Sequence, residues 1–252
     1  MGLLDGRIAI VTGASSGIGR ASAVRFSEEG AAIVACARRL DNLKELVHDV
    51  EAKGGQAIAV ACDISKEEDI DNAVQSAAER FGRIDILANI AQGGMDELAD
   101  ITATTPDRAM YSFTTGPLQS LLFMQKCFPF MKRQRYGRII NTASPAAVTG
   151  FPGTTAYAMA KGAIMALTRN ASQEWGQFGI VTNTFLPWVR TETFEQTPIA
   201  ANLAQMEAAS PLRRMGTAYE DCTPTLAFLA SEQAGYINGQ VIAVDGGRRL
   251  IA

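Results

Sequence analysis

Thr12-Gly13-Ala14-Ser15-Ser16-Gly17-Ile18-Gly19 follows a short apolar run, Ile8-Ala9-Ile10-Val11, and opens a helix-like stretch from Ile18 to Glu29. Its glycines are spaced G-x-x-x-G-x-G. A chain that turns sharply from strand to helix while its backbone approaches a pyrophosphate has no room for larger side chains there. The helix start then offers free N–H groups and the positive end of its dipole to the phosphates. Such glycines also occur in ordinary strand-to-helix turns. Their place between a strand and a helix predicts a dinucleotide cradle formed by Gly13, Ser15, Ser16, Gly17, Ile18 and Gly19.

The rest of the chain repeats this alternation. Apolar runs recur at Ala31 to Cys36, Ile58 to Ala61, Ile84 to Ala88, Arg138 to Asn141, Ile180 to Asn183 and Gln240 to Val244, giving seven candidate strands with the first. Amphipathic stretches lie between them. Asp41 to Lys53 stops at Gly54-Gly55, and Lys66 to Phe81 stops at Gly82 after a possible cap at Ser65. Continuously apolar strands separated by single helices predict an α/β fold, a doubly wound parallel sheet with helices on both faces. No Pro/Gly/Ser-rich linker or repeat divides the 252 residues, so one domain is expected.

Composition narrows the function. With 47% apolar and 19% charged residues, the chain can bury a large core without staples. A net charge of -3 argues against nucleic acid as the main partner. The basic clusters are short: Arg38-Arg39, Lys132-Arg133 with Arg135, Arg213-Arg214 and Arg248-Arg249. Cys36, Cys62, Cys127 and Cys222 form no CxxC pair, so neither a disulfide framework nor a metal site is expected, and a reducing compartment fits. The single histidine, His48, reads as a surface residue. No secretory signal, myristoylation pattern or membrane-spanning run is read, so a soluble, cytoplasmic protein is expected.

The end of the second strand bears on the choice of dinucleotide. An acidic residue about 20 positions after the glycines would bind a ribose 2′-hydroxyl. Cys36-Ala37-Arg38-Arg39 stands there instead. Two guanidiniums suit a 2′-phosphate, which predicts NADP(H), although both could simply face solvent. Further on, Tyr157-Ala158-Met159-Ala160-Lys161 places a tyrosine and a lysine on one helical face. The ammonium, together with the positive nicotinamide of an oxidised cofactor, is expected to lower the phenol's pKa, fitting Tyr157 to act as general acid or base. Ser144 follows the strand ending at Asn141, at the edge where open α/β sheets place ligands. It could hydrogen-bond a reacting oxygen. Alone, it would read as a turn serine before Pro145.

Together these residues resemble the short-chain dehydrogenase/reductase family over essentially the whole chain. The TGxxxGxG turn corresponds to Thr12–Gly19, the adenine-contacting Asp to Asp63, and the catalytic Ser, Tyr and Lys to Ser144, Tyr157 and Lys161. The segment from Tyr236 to Gly247 looks like the family's closing strand. The resemblance implies a Rossmann-like sheet of about seven strands and a homotetramer or homodimer. It extends the expected cofactor contacts to Ile64, Asn89, Ala91, Pro187, Val189 and Thr191, besides Tyr157 and Lys161.

Three departures from the family pattern cluster near the nicotinamide end. The NNAG stretch reads Asn89-Ile90-Ala91-Gln92. The helix Asn that helps hold a relay water in the family is missing, and either Gly116 or Phe113 takes its place according to the register. Pro-Gly after the sixth strand reads Pro187-Trp188. The substrate lid would run from about 188 to 215, with Trp188, Phe194, Ile199, Leu203 and Met206 facing either the body of the protein or an apolar part of a substrate. Gly93, Gly94, Met95 and Phe151 are candidates for the opposite wall. The expected activity is NADP(H)-dependent reduction of a ketone or aldehyde, or its reverse. The alternatives are a non-redox or slow enzyme of epimerase, dehydratase or dehalogenase type, and a catalytically silent NADP(H)-binding protein.

Overall fold

A computed structural model describes residues 2–94 and 98–248. Met95 and Arg249, both named above, lie outside the described residues. The chain runs through strands β1 (Ile8–Thr12), β2 (Ala32–Ala37), β3 (Ala57–Ala61), β4 (Ile86–Asn89), β5 (Gly137–Thr142), β6 (Ile180–Pro187), β7 (Val189–Arg190), β8 (Gly216–Thr217) and β9 (Val241–Val244). The helices are α1 (Gly17–Glu28), α2 (Leu40–Ala52), α3 (Glu67–Phe81), α4 (Pro106–Phe113), α5 (Gln119–Gln134), α6 (Ala146–Thr149), α7 (Thr155–Trp175), α8 (Glu192–Glu195), α9 (Leu203–Ala208) and α10 (Thr223–Ala230). A π-helical turn, Thr114–Leu118, joins α4 to α5.

All seven expected strands form, and they build one parallel sheet in the order β3-β2-β1-β4-β5-β6-β9. The short β7 and β8 pair separately and were not anticipated. Their two-residue pairing carries too little pattern to read.

The strands are apolar on both sides because each face is covered. On one side Phe26 of α1, Leu43 and Leu46 of α2 and Leu226 of α10 pack in a single cluster. On the other, Ile70 and Val74 of α3, Met124 and Cys127 of α5 and Ala171 of α7 do the same. Burying the Phe, Leu, Ile, Val and Met side chains contributes about 1.5–3 kcal/mol each. All four cysteines are buried and unpaired, and burial raises each thiol's pKa. His48 is exposed on α2. Among the described residues, no helix is long and apolar enough to cross a membrane.

Helix ends follow local chemistry. Gly82 closes α3 in the left-handed conformation, φ 73°. The expected cap at Ser65 does not form. The Ser65 hydroxyl donates to Asp63 Oδ1 at 2.7 Å, Lys66 stands at the cap position, and α3 starts on Glu67-Glu68-Asp69, whose charges suit the positive end of its dipole. Asp85, just before β4, is fully buried. It accepts from Arg83 Nε at 2.9 Å and Nη2 at 2.6 Å, from Arg7 and from the Ile8 amide, so it clamps the starts of β1 and β4 together.

Candidate active site

After β1 the chain turns outward to β2 and β3, and after β4 it turns the other way. β1 and β4 are therefore adjacent strands whose connections diverge, and a cleft opens at their C-terminal ends. Thr12 holds this edge together. Its Oγ1 accepts from the Ile90 amide at 2.9 Å and the Ala91 amide at 3.0 Å. The glycine turn is built for close approach. A Cβ on Gly19 would lie 2.2 Å from the Gly13 carbonyl oxygen. Gly13, at φ 72°, has Ala91 3.2 Å from where its Cβ would be. Gly17, at φ 53°, faces the Thr191 side chain. Only glycine fits these positions, and the cradle they leave suits a pyrophosphate.

Beside that turn stands Arg39. Its Nη2 donates to Ser15 Oγ at 3.0 Å and Ser16 Oγ at 2.7 Å. Arg38 and Arg39 are both exposed. Neither forms an ion pair with a carboxylate among the described residues. Asp63, at the end of β3, accepts from the Ser65 amide and hydroxyl, which lowers its pKa, and the charge on Arg38 lowers it further. Ile64 is half-buried against the core, as is Ile18. Charge and donors therefore gather at one end of the cleft.

At the other end, α7 carries Tyr157 and Lys161 on one face, and Ser144 follows β5. Tyr157 is half-buried and Lys161 is buried. The ammonium lies over the phenol ring, 5.5 Å from its centroid, and donates to the Thr142 carbonyl at 2.5 Å. The sequence-based expectation of a lowered phenol pKa is reversed in the protein alone. Burial lifts Tyr157 to about 12, against a smaller opposing effect of the Ser144 hydroxyl, and brings Lys161 down to about 7. Desolvation disfavours the charged form of each group. Tyr157 is thus a protonated acid at neutral pH.

The Asn89 side chain turns into the sheet, where its Nδ2 donates to Asn141 Oδ1 at 2.8 Å. Val189 is likewise packed in the core. Both could meet a ligand only through their backbones. Pro187 ends β6, and Thr191 caps α8 through its hydroxyl. A small cleft in front of Tyr157 is lined by Gly94, Leu98, Arg108, Gly153 and Thr154. Phe151 is partly exposed nearby in the chain and does not line it. The segment expected to form the lid comprises β7, α8, a 3₁₀ turn Pro198–Asn202 and α9. Trp188 is buried at its root, with the Arg248 guanidinium 4.2 Å from its ring centroid. Phe194, Ile199, Leu203 and Met206 are half-buried.

Gly116, not Phe113, is the inward-facing residue of the two candidates for the missing Asn. It is buried within the π-helical turn, whereas Phe113 is exposed. The residue in contact with Gly116 is Gln92, whose importance local spacing could not show.

A glycine cradle at a sheet's diverging point, with a Ser-Tyr-Lys group on the neighbouring elements, defines a dinucleotide-dependent oxidoreductase. A family model described as enoyl-(acyl carrier protein) reductase matches residues 13–249. The short-chain reductase protein NovJ of Streptomyces niveus is 35% identical, with 96% of this chain and 93% of that protein covered. The 3-oxoacyl-[acyl-carrier-protein] reductase FabG of Thermotoga maritima is 31% identical, with 97% and 98% covered. Among solved structures, YwfH, an NADPH-dependent reductase involved in bacilysin biosynthesis, superposes with a TM-score of 0.92 at 27% identity, covering 98% of this chain and 99% of that one. The chain belongs to the short-chain dehydrogenase/reductase family.

Proposed function

We propose that the protein reduces a ketone or aldehyde to an alcohol with NADPH, or runs the reverse reaction, with Tyr157 as general acid/base. The observation that carries this reading is the grouping of Ser144, Tyr157 and buried Lys161 at the C-terminal edge of the sheet. The reduced nicotinamide, when bound, supplies hydride to the carbonyl carbon. Tyr157 gives its proton to the carbonyl oxygen, a role suited to a phenol that burial keeps protonated. Ser144 orients that oxygen by a hydrogen bond. Lys161 supports the phenol and holds the ribose.

Gly13, Ser15, Ser16, Gly17, Ile18 and Gly19 hold the pyrophosphate in this reading, and Arg38 and Arg39 hold the 2′-phosphate. Asp63 and Ile64 border the adenine. Asn89, Ala91, Pro187, Val189 and Thr191 serve the nicotinamide half. The half-buried apolar side chains of the lid suit a substrate with an apolar part. NovJ, FabG and YwfH are named as reductases, which supports the reductive direction.

The reading extends to a cytoplasmic homotetramer or homodimer. Exposed Met110, Tyr111, Phe113 and Leu118 around α4, with Met159 on α7, offer apolar surface for self-association. The unpaired thiols suit a reducing compartment.

The test is a panel of ketones and aldehydes with NADPH and NADH, followed at the nicotinamide absorbance band, with Tyr157→Phe as control. NADPH consumption that this variant loses is the expected result. Tighter NADH binding overturns the cofactor assignment, and undiminished turnover by Tyr157→Phe overturns the mechanism. Substrate conversion without net change in absorbance would support an epimerase, dehydratase or dehalogenase. Binding without turnover would mark a silent binding protein.

A further inference from the structure

Gln92 carries a buried carboxamide that nothing in the chain satisfies. Neither its Oε1 nor its Nε2 has a hydrogen-bond partner, and both are shut from solvent. Leaving a buried amide group unpaired costs about 1–3 kcal/mol, so a native protein normally provides a partner, most simply an internal water.

Several other polar atoms in the surrounding segments are in the same state. Asn89 Oδ1 at the end of β4, Thr142 Oγ1 at the end of β5, Ser112 Oγ in α4 and Gln119 Oε1 at the start of α5 are all buried and unpartnered. The π-helical turn between α4 and α5 adds to the set, because Pro117 brings no N–H and leaves a carbonyl of the preceding turn short of its usual donor. Each of these atoms needs a partner that the protein's own groups do not supply, such as an ordered water.

Geometry ties Gln92 to the catalytic helix. A Cβ at Gly116 would lie 3.0 Å from both polar atoms of Gln92. The carboxamide therefore occupies the space that a side chain from residue 116 would fill. That π-helical turn packs on α7, which carries Tyr157 and Lys161. Gln119 Nε2 reaches back to the Ala91 carbonyl, holding the segment before Gln92 against α5. Lys161 spends one donor on Thr142 and has two more to offer.

We infer that Gln92 is a positioning residue that holds an ordered water beneath the Tyr157–Lys161 pair, replacing a side chain that Gly116 cannot supply. This rests on the reductase reading given above. Tyr157 loses its Oη proton to the substrate oxygen and is reprotonated from the Lys161 side. The water at Gln92 returns the proton to Lys161 and is itself replenished from solvent. Only protons move, one in for each one delivered. A lysine whose pKa burial brings to about 7 can release and recover a proton near neutral pH.

The test compares wild type, Gln92→Leu and the exchanged pair Gln92→Gly with Gly116→Asn. Leu keeps the bulk and removes both polar atoms. In Gln92→Leu, kcat for ketone reduction should fall about a hundredfold and its pH profile should change, with the NADPH dissociation constant nearly unchanged. The exchanged pair should recover most of the loss. Crystal structures should show a water on the Gln92 carboxamide in wild type and none there in Gln92→Leu. An unaltered kcat and pH profile in Gln92→Leu would overturn the proposal, as would a water that stays in place without the carboxamide. If wild type reduces no carbonyl, the reductase reading fails, while the crystallographic comparison still decides the role of Gln92.

Discussion

The Arg39 guanidinium bridges the hydroxyls of Ser15 and Ser16, so a charge from the end of β2 lies directly on the glycine turn. Both partners are neutral, and the positive charge remains available to an anion. A charge-assisted contact of this kind contributes about 1.5–3 kcal/mol. Arg39→Ala should therefore weaken NADPH binding about 10- to 100-fold and leave NADH nearly unaffected. Titration of nicotinamide fluorescence with each cofactor measures this. Equal losses for both would remove Arg39 from 2′-phosphate recognition.

Lys161 leads to a prediction about stability and pH. Its pKa is about 7 in the folded protein against an ordinary 10.5. Between these values the unfolded chain binds the proton and the folded chain does not, so this group makes stability rise with pH. Below about 7 both forms are protonated, and the folded state carries the full cost of a buried ammonium. Lys161→Met removes that dependence. Denaturant unfolding at pH values from about 6 to 10 should show wild type gaining on the variant as pH rises. A difference constant across that range would contradict the buried, depressed lysine.

Gly19→Ala should be far more damaging than Gly54→Ala. A Cβ at residue 19 would meet the Gly13 carbonyl oxygen at 2.2 Å, and that oxygen belongs to a backbone with little freedom to move. At Gly54 the space is open and only the left-handed backbone, φ 83°, resists substitution. Expected losses are about 3 kcal/mol or more for the first and about 1 kcal/mol for the second. Thermal unfolding of the two variants gives the comparison. Similar losses would mean the turn tolerates a side chain.

Asp85 should behave as a structural carboxylate remote from the cleft. It is fully buried and faces Arg83, Arg7 and the Ile8 amide. Asp85→Ala leaves the buried Ile8 amide and the Arg83 guanidinium without this partner, while Arg7 keeps Glu232, and should cost about 3 kcal/mol, the lower end for a broken buried pair because Arg83 is partly exposed. Urea unfolding measures the loss. A change below about 1 kcal/mol would reduce the cluster to a surface pair.

The fold was legible because its signals are local. The apolar runs at Ile8, Ala31, Ile58, Ile84, Arg138, Ile180 and Gln240 each lie within one element, and all became strands of the sheet. The glycine turn was legible for the same reason. What escaped depended on competition between distant or opposing effects. Ser65 has the right identity to cap α3, but its hydroxyl prefers the carboxylate of Asp63. The helical spacing of Tyr157 and Lys161 correctly places them on one face, yet says nothing of the burial that sets both pKa values. Gln92 and Gly116 meet only because the π-helical turn faces the end of β4, a contact that no sequence period encodes.

The thiols have a practical use. Cys36, Cys62 and Cys127 belong to one side of the sheet and Cys222 to the other. None is exposed, and burial holds each away from the reactive thiolate form. An alkylating reagent added to the native protein therefore reacts only as the structure opens. Mass mapping of the modified peptides would time the loosening of each layer separately, without an engineered probe.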